Sequence, residues 1–333
     1  MKKQNSLTKM SALLAGTALV AVACGSADTV VSDAADAVDN ATEVAEGESG
    51  EVALASDSGE PVLGGAPVAL EFSGLEPLGE NFVYEGWIIV DEAPVSTGRF
   101  TIAEIDGERT YTAESLATQS DLDNAEAFVL SIEPAVDDDP APAAAKPLGG
   151  ALVDGVAELS HAFPGALGDD FSTAGGSFVI TTPTTEDGAD DYSGVWFIGL
   201  TDDGPAAGLD LPELPEGWVY EGWVVIDDVA VSTGRFVSAE GADEFSGFSG
   251  DQDSPPFPGE DFIENAPEGL EFPANLTDGT STVVISIEPE IDDSPAPFAF
   301  KPLAYPIAEG TETGVQLELG QGPGFPSGTA TIG

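Results

Sequence analysis

The chain has 333 residues, with 61 Asp and Glu against 8 Lys and Arg, one His and one Cys, for a formal charge of −53. That charge excludes nucleic acid and anionic lipid headgroups as partners, because both need a basic face that this chain cannot assemble. One His and one Cys exclude a zinc site and a disulfide framework, while 42% hydrophobic residues with 17 Phe and 4 Trp still suffice for a folded core.

In chain order, residues 1–23 carry Lys2, Lys3 and Lys9, no acid, and an apolar run over 10–23 that is shorter than a membrane span. This is the pattern of a signal peptide. It ends Val20-Ala21-Val22-Ala23-Cys24-Gly25-Ser26. Small residues leading into the only cysteine resemble the lipobox of bacterial lipoproteins. The resemblance implies lipidation of Cys24, an extracytoplasmic location on the plasma or outer membrane and, with Gly25 following, a route to the cell surface. Ala21 stands where the motif has a larger residue, so ordinary cleavage near Ala23 is the alternative. Several acyl chains on one residue would satisfy the requirement for stable anchoring. Cleavage leaves all 61 acids and five cations, Arg99, Arg109, Lys146, Arg235 and Lys301, for a charge of −56.

Residues 24–65 hold Ala, Asp, Glu, Ser, Gly and Val without aromatic or basic side chains. Such a segment buries too little to offset its ordering entropy and reads as a flexible, self-repelling tether. Its Ala content over 30–46 leaves a helix as the alternative.

The remainder is duplicated. FVYEGWIIVDEAPVSTGRF (82–100) aligns with WVYEGWVVIDDVAVSTGRF (218–236) at an offset of 136, with 12 identities in 19. FVLSIEPAVDDDPAPAAAKPL (128–148) aligns with VVISIEPEIDDSPAPFAFKPL (283–303) at an offset of 155, with 14 identities in 21. The second copy therefore carries 19 extra residues between its blocks. Two units of over a hundred residues are tandem domains, not a solenoid. The predicted boundaries are 66–188 for the first and 189–333 for the second, with an inserted loop over 237–280.

FVYEGWIIV is apolar on both alternating faces and predicts a central strand; 128–134 alternates with Leu130 and Ile132 on one face. Further strands are predicted at 67–72, 96–102, 155–159, 176–182 and 194–199. Short strands with 40 Gly and 25 Pro between them predict an all-β fold, one immunoglobulin-like β-sandwich per copy.

The blocks resemble the extracytoplasmic C-terminal domain of anti-sigma-K factors. The residues that carry the resemblance are Tyr84-Glu85-Gly86-Trp87 and Tyr220-Glu221-Gly222-Trp223, then Gly98-Arg99-Phe100 and Gly234-Arg235-Phe236. Ser131-Ile132-Glu133-Pro134 and Ser286-Ile287-Glu288-Pro289 follow, closed by Pro140-Ala141-Pro142 and Pro295-Ala296-Pro297. The resemblance covers about forty residues per copy. It implies a β fold and an envelope location. That family couples the domain to a transmembrane helix and a cytoplasmic sigma-binding domain, and no such segments follow the signal run here.

Four of the five mature cations sit at repeat-equivalent positions, Arg99 with Arg235 and Lys146 with Lys301, in blocks that also repeat Glu85 with Glu221 and Glu133 with Glu288. Cross-strand ion pairs within each copy are expected; a cationic notch for an acidic ligand is the sharper alternative. Asp137, Asp138, Asp292 and Asp293 precede the Pro-Ala-Pro segments. They could hold calcium, but lack the alternating spacing of an EF-hand loop, so a solvated turn is the plainer reading. The insertion carries Phe245, Phe248, Phe257, Phe262 and Phe272. They either cap the fold or form a partner-binding loop. His161 adjoins Ser160, and strand neighbours face opposite ways, so the two make no catalytic pair. Together these features predict a non-catalytic, lipid-anchored, extracytoplasmic module without cofactor that binds an envelope protein or senses the envelope. The alternative is a component of an anti-sigma system acting through a separate membrane protein; an enzyme or calcium-binding surface protein comes third. The distributed acidity resembles that of proteins from high-salt habitats.

Overall fold

The computed structural model describes residues 53–56, 68–105, 108–113, 117–137, 139–186, 191–291 and 294–333. The signal run, Cys24 and most of the 24–65 segment lie outside them. The described residues are almost wholly β, as their alternation and Gly and Pro spacing predict. The first stretch gives β1 (Ala53–Ser56), β2 (Val68–Ser73), β3 (Phe82–Val90), β4 (Ala93–Ile105) and β5 (Glu108–Ala113). A short helix, α1 (Gln119–Asp123), precedes β6 (Ala127–Pro134), β7 (Leu148–Val153) and β8 (Val156–Ser160). Then come β9 (Gly175–Ile180), β10 (Gly194–Trp196), β11 (Ile198–Thr201), β12 (Gly204–Ala207) and β13 (Leu209–Asp210). The second repeat supplies β14 (Trp218–Ile226), β15 (Val229–Phe236), β16 (Gly259–Asp261), β17 (Ser281–Pro289) and β18 (Lys301–Pro306). The chain ends with β19 (Gln316–Glu318), β20 (Gly320–Gly324) and β21 (Ser327–Ile332).

Nine strands form one antiparallel sheet in the order β1-β5-β4-β3-β6-β7-β8-β21-β2. A second sheet runs β15-β14-β17-β18-β20, and a third runs β13-β9-β10-β16 with β19 also paired to β9. The small ribbon β11-β12 stands apart. The two repeats share one register. Tyr84 lies opposite Phe100 and Ile132, and Tyr220 opposite Phe236 and Ile287. Both hairpins turn through two acidic residues in the left-handed region, Asp91 and Glu92, then Asp227 and Asp228. That is the backbone a two-residue hairpin of this twist requires, although Asn-Gly would adopt it with less strain.

Each copy also breaks its ladder at the same point. Gly86 pairs with Gly98 but Trp87 with Ser96, leaving Thr97 as the extra residue of a bulge; Gly222, Gly234, Trp223, Ser232 and Thr233 repeat this. Gly98 and Gly234 take φ of 123° and 124° there, which excludes a side chain. Gly86 and Gly222 are glycine for another reason. A Cβ on Gly86 would stand 2.5 Å from Thr97 Oγ1 and 2.7 Å from Phe128 Cζ, and one on Gly222 would meet Thr233 Oγ1 and Phe197.

Two sequence expectations are revised. Ala53–Ser56, placed within the tether, forms β1 against β5, with Ala53 opposite Ala113. Main-chain hydrogen bonds add an edge strand without an apolar side-chain pattern, so the composition of 24–65 gives no sign of it. The boundary at 188/189 does not separate the two halves either. β21, from the end of the chain, enters the first sheet between β8 and β2, and β9 of the first half pairs with β10, β13 and β19. Ser49–Gly333 is accordingly one compact unit. A single buried cluster runs from Val68 and Leu70 through Tyr84, Phe128 and Leu148 to Phe178, Tyr220, Phe262, Ile285, Phe300 and Ala330.

Candidate functional site

The repeated motif residues converge on two polar clusters per copy. In the first cluster, β3 places Glu85 opposite Arg99 of β4. Arg99 Nε donates to Glu85 Oε2 at 2.7 Å, its second arm donates to Asp137 Oδ2 at 3.1 Å, and Ser96 Oγ donates to Glu85 Oε1 at 2.5 Å. Burial works against the Arg99 charge, but Glu85 and Asp137 outweigh it and hold its pKa above the ordinary value. The second copy matches: Arg235 Nε donates to Glu221 Oε2 at 2.8 Å and Ser232 Oγ to Glu221 Oε1 at 2.5 Å. With carboxylates on two sides of Arg99, this place offers no cationic notch for an acidic ligand.

In the second cluster, Trp87 Nε1 donates to Ser131 Oγ at 2.7 Å, Ser131 donates to Glu133, and Glu133 Oε1 accepts the Ala143 N–H at 2.8 Å. The relay recurs as Trp223 to Ser286 at 2.8 Å, Ser286 to Glu288, and the Phe298 N–H to Glu288 Oε1 at 2.9 Å. A buried carboxyl thus ties the loop carrying each Pro-Ala-Pro to its sheet. Burial raises the pKa of Glu133, opposed by the hydrogen bonds from Ser131 and Ala143. Here the expected ion pairs are corrected. Lys146 Nζ donates to the Ala143 carbonyl and Lys301 Nζ to the Phe298 carbonyl, both at 2.6 Å. Among the described residues neither lysine makes an ion pair. Each caps the loop its Glu also holds; burial lowers both lysines, against the pull of Glu133 and Glu216 on one and of Glu76 and Glu288 on the other.

The insertion organises its phenylalanines inward. Phe262 is fully buried, Phe248 and Phe272 pack on it at ring separations of 6.3 and 5.8 Å, and Phe245 sits edge-on to Phe248 at 5.0 Å. Phe257 packs instead on the small cluster of Val179, Trp196 and Ile198. Of the four phenylalanines proposed as a partner-binding loop, Phe245 alone is exposed, at 40%. The set caps the core because each ring finds another ring before it finds solvent. Beside it, β16 carries two buried acids that sequence reasoning did not single out. Asp261 accepts the Thr184 N–H at 2.8 Å and Trp196 Nε1–H at 2.7 Å; Glu260 accepts Ser249 Oγ–H and the Asp261 N–H, the latter at 3.1 Å. Asp243 accepts the N–H groups of Gly259 at 2.8 Å and Phe245 at 3.0 Å. Glu-Asp pairs are common enough in this sequence to hide these.

Asp137 belongs to the Arg99 cluster; Asp138, Asp292 and Asp293 lie outside the described residues. Among the described residues no group of three or more His, Cys, Asp or Glu is arranged to hold a metal ion. His161 is stacked on Phe325 at 4.0 Å and lies near Phe171 and Phe300, where burial lowers its pKa. Its ring serves the aromatic seam between the first sheet and the second. No helix among the described residues is long and apolar enough to cross a membrane.

Residues 12–149 match the family described as anti-sigma-K factor rskA, C-terminal. The matched segment starts inside the apolar run of 10–23 and ends in β7. It takes in the first copy of every motif above, and its similarity extends to under half of the chain. No curated protein matches the chain.

Proposed function

We propose that this is a lipid-anchored extracytoplasmic protein that works by binding or by sensing the envelope, with a fold related to the outer domain of anti-sigma-K factors. The observation that carries the reading is the match over 12–149, which includes the Tyr-Glu-Gly-Trp, Gly-Arg-Phe, Ser-Ile-Glu-Pro and Pro-Ala-Pro segments whose side chains form the two clusters. The signal-like run and Cys24 supply the anchor, and the membrane is met through lipid on that cysteine. Catalysis has no part in the reading: His161 is enclosed by phenylalanines, and the buried acids hold backbone amides. The partner is an envelope protein. The more specific form of the reading, supported by the same match, is a regulatory component of an anti-sigma system whose signal a separate membrane protein carries inward.

Two measurements test this. The full chain should take up a labelled fatty acid and partition into detergent, and Cys24→Ser should lose both; a variant that partitions like the parent would refute the anchor. Deleting the gene should change transcripts of one sigma factor's regulon under envelope stress. An unchanged regulon would overturn the regulatory form.

A further inference from the structure

Glu260 is a buried acid whose surroundings do not suit a charge. Its side chain is fully buried on β16, and Oε2 has no hydrogen-bond partner. Every ionisable neighbour repels it or is engaged elsewhere. Asp261 follows it on the same strand, with its own carboxylate turned to Thr184 and Trp196. Asp243 faces it from the inserted segment, and Glu244, next in the chain, is exposed. β10, paired with β16, offers only Gly194, Val195 and Trp196. Arg235, on the neighbouring strand β15, gives its Nε to Glu221. Among the described residues no ion pair reaches Glu260 or Asp243.

These two acids also sit where the insertion is fastened. Asp243 lies against Gly234 of β15 and holds the N–H groups of Phe245 and Gly259, while the Glu244 N–H donates to the Arg235 carbonyl at 3.4 Å. Glu260 accepts from Ser249, further along the same segment. A buried carboxylate with one oxygen unpartnered and acids beside it is disfavoured relative to the neutral acid.

We propose that Glu260, with Asp243 beside it, is a proton-linked clasp that holds the inserted segment, β16 included, closed on β15 when protonated and releases it when ionised. Burial, opposed by the Ser249 hydrogen bond and reinforced by Asp243 and Asp261, raises Glu260 to about 7, and burial raises Asp243 to about 6. Both closed-state values exceed those of the solvated acids, so the closed form binds more protons than the open one. Closure is therefore complete at low pH, weakens as pH rises through these values, and levels off above them. The device belongs to the chain itself and stands or falls apart from what the protein binds.

Amide hydrogen exchange on the full chain tests it. Peptides spanning 244–264 are compared with peptides from β3 and β6 of the same molecule, which cancels the intrinsic pH dependence of exchange. The opening ratio should rise from about pH 4, by up to roughly a hundredfold per pH unit while both acids titrate and up to roughly tenfold per unit above about pH 6, and flatten above about pH 7. Glu260→Gln should remove the upper part of that rise, and Asp243→Asn the lower. A flat ratio in the wild type overturns the proposal, as does an unaltered midpoint in Glu260→Gln. Should Glu260→Gln not fold, the wild-type profile and Asp243→Asn decide the question by the same criteria.

Discussion

Adding one methyl group to the Tyr-Glu-Gly-Trp strand of the second repeat should destabilise the whole unit. At Gly222 a Cβ would collide with Thr233 Oγ1 and stand 2.7 Å from Phe197 Cε2. Neither neighbour can give way, since Thr233 is held in the bulge and Phe197 is fully buried. The glycine is not among those with positive φ, so the penalty is steric and not conformational. Overpacking of this kind costs about 1–3 kcal/mol. For a unit of this size that lowers the melting temperature by roughly 2–6 °C. Thermal unfolding followed by circular dichroism at fixed, molar salt would read Gly222→Ala directly. Phe197→Leu frees space on the same side, so the double variant should cost at least about 1 kcal/mol less than the sum of the singles. Strict additivity, or a Gly222→Ala protein melting within about 1 °C of wild type, would refute the close-approach explanation.

Thr97 and Thr233 hydroxyls are buried in the bulges without a hydrogen-bond partner; Thr97→Val and Thr233→Val should each stabilise by about 1 kcal/mol, read as urea midpoints. His161 is held below its ordinary value mainly by burial, so the folded state binds fewer protons than the unfolded one below about pH 6.5. Stability it contributes is present above that pH and is lost as pH falls, and the difference in melting temperature between wild type and His161→Phe should widen from pH 7 to 5; a constant difference would contradict the assignment. A charge of −53 on the full chain, screened over about 10 Å at 0.1 M salt but only about 3 Å at 1 M, should make the melting temperature rise with salt across that range. A melting temperature indifferent to salt would show that self-repulsion is not significant.

Strands were legible where side chains alternate or are uniformly apolar. β3 occupies the nine residues of FVYEGWIIV, and β14 its repeat, because aromatic and β-branched residues fit a pleated surface buried on both sides. β1 and β21 were not legible: Ala-Leu-Ala-Ser and Ser-Gly-Thr-Ala-Thr-Ile are short, small-residue segments whose place is set by main-chain pairing. That is also why the two repeats looked separable in sequence and are interleaved in space. At the site, charge complementarity correctly suggested where Arg99 and Arg235 find carboxylates. It misled for Lys146 and Lys301, since a flexible ammonium group three residues past a free carbonyl reaches that carbonyl first. Glu260 could have been suspected only from its company: an acid on a segment flanked by Phe257 and Phe262 must be drawn into the core with them.

The two copies differ most at the outer strand of the hairpin, and the difference has a common cause. An edge strand presents unpaired backbone groups that invite pairing with another chain. In the first copy β4 runs on past Phe100 to Ile105 and folds back as β5, which in turn takes β1. In the second copy the equivalent strand stops at Phe236, and the 19 extra residues lead into a segment fastened at Gly234 and Arg235 by Asp243 and Glu244. The hairpin and the insertion are thus two covers for one edge. The first is held by a ladder of backbone hydrogen bonds that no change near neutral pH will disturb. The second is held by carboxyl groups whose pKa burial raises, so of the two edges β15 is the one that loss of a proton would uncover. Any regulated contact through sheet pairing would therefore be made by the second copy, with the first left as the permanently closed member of the pair.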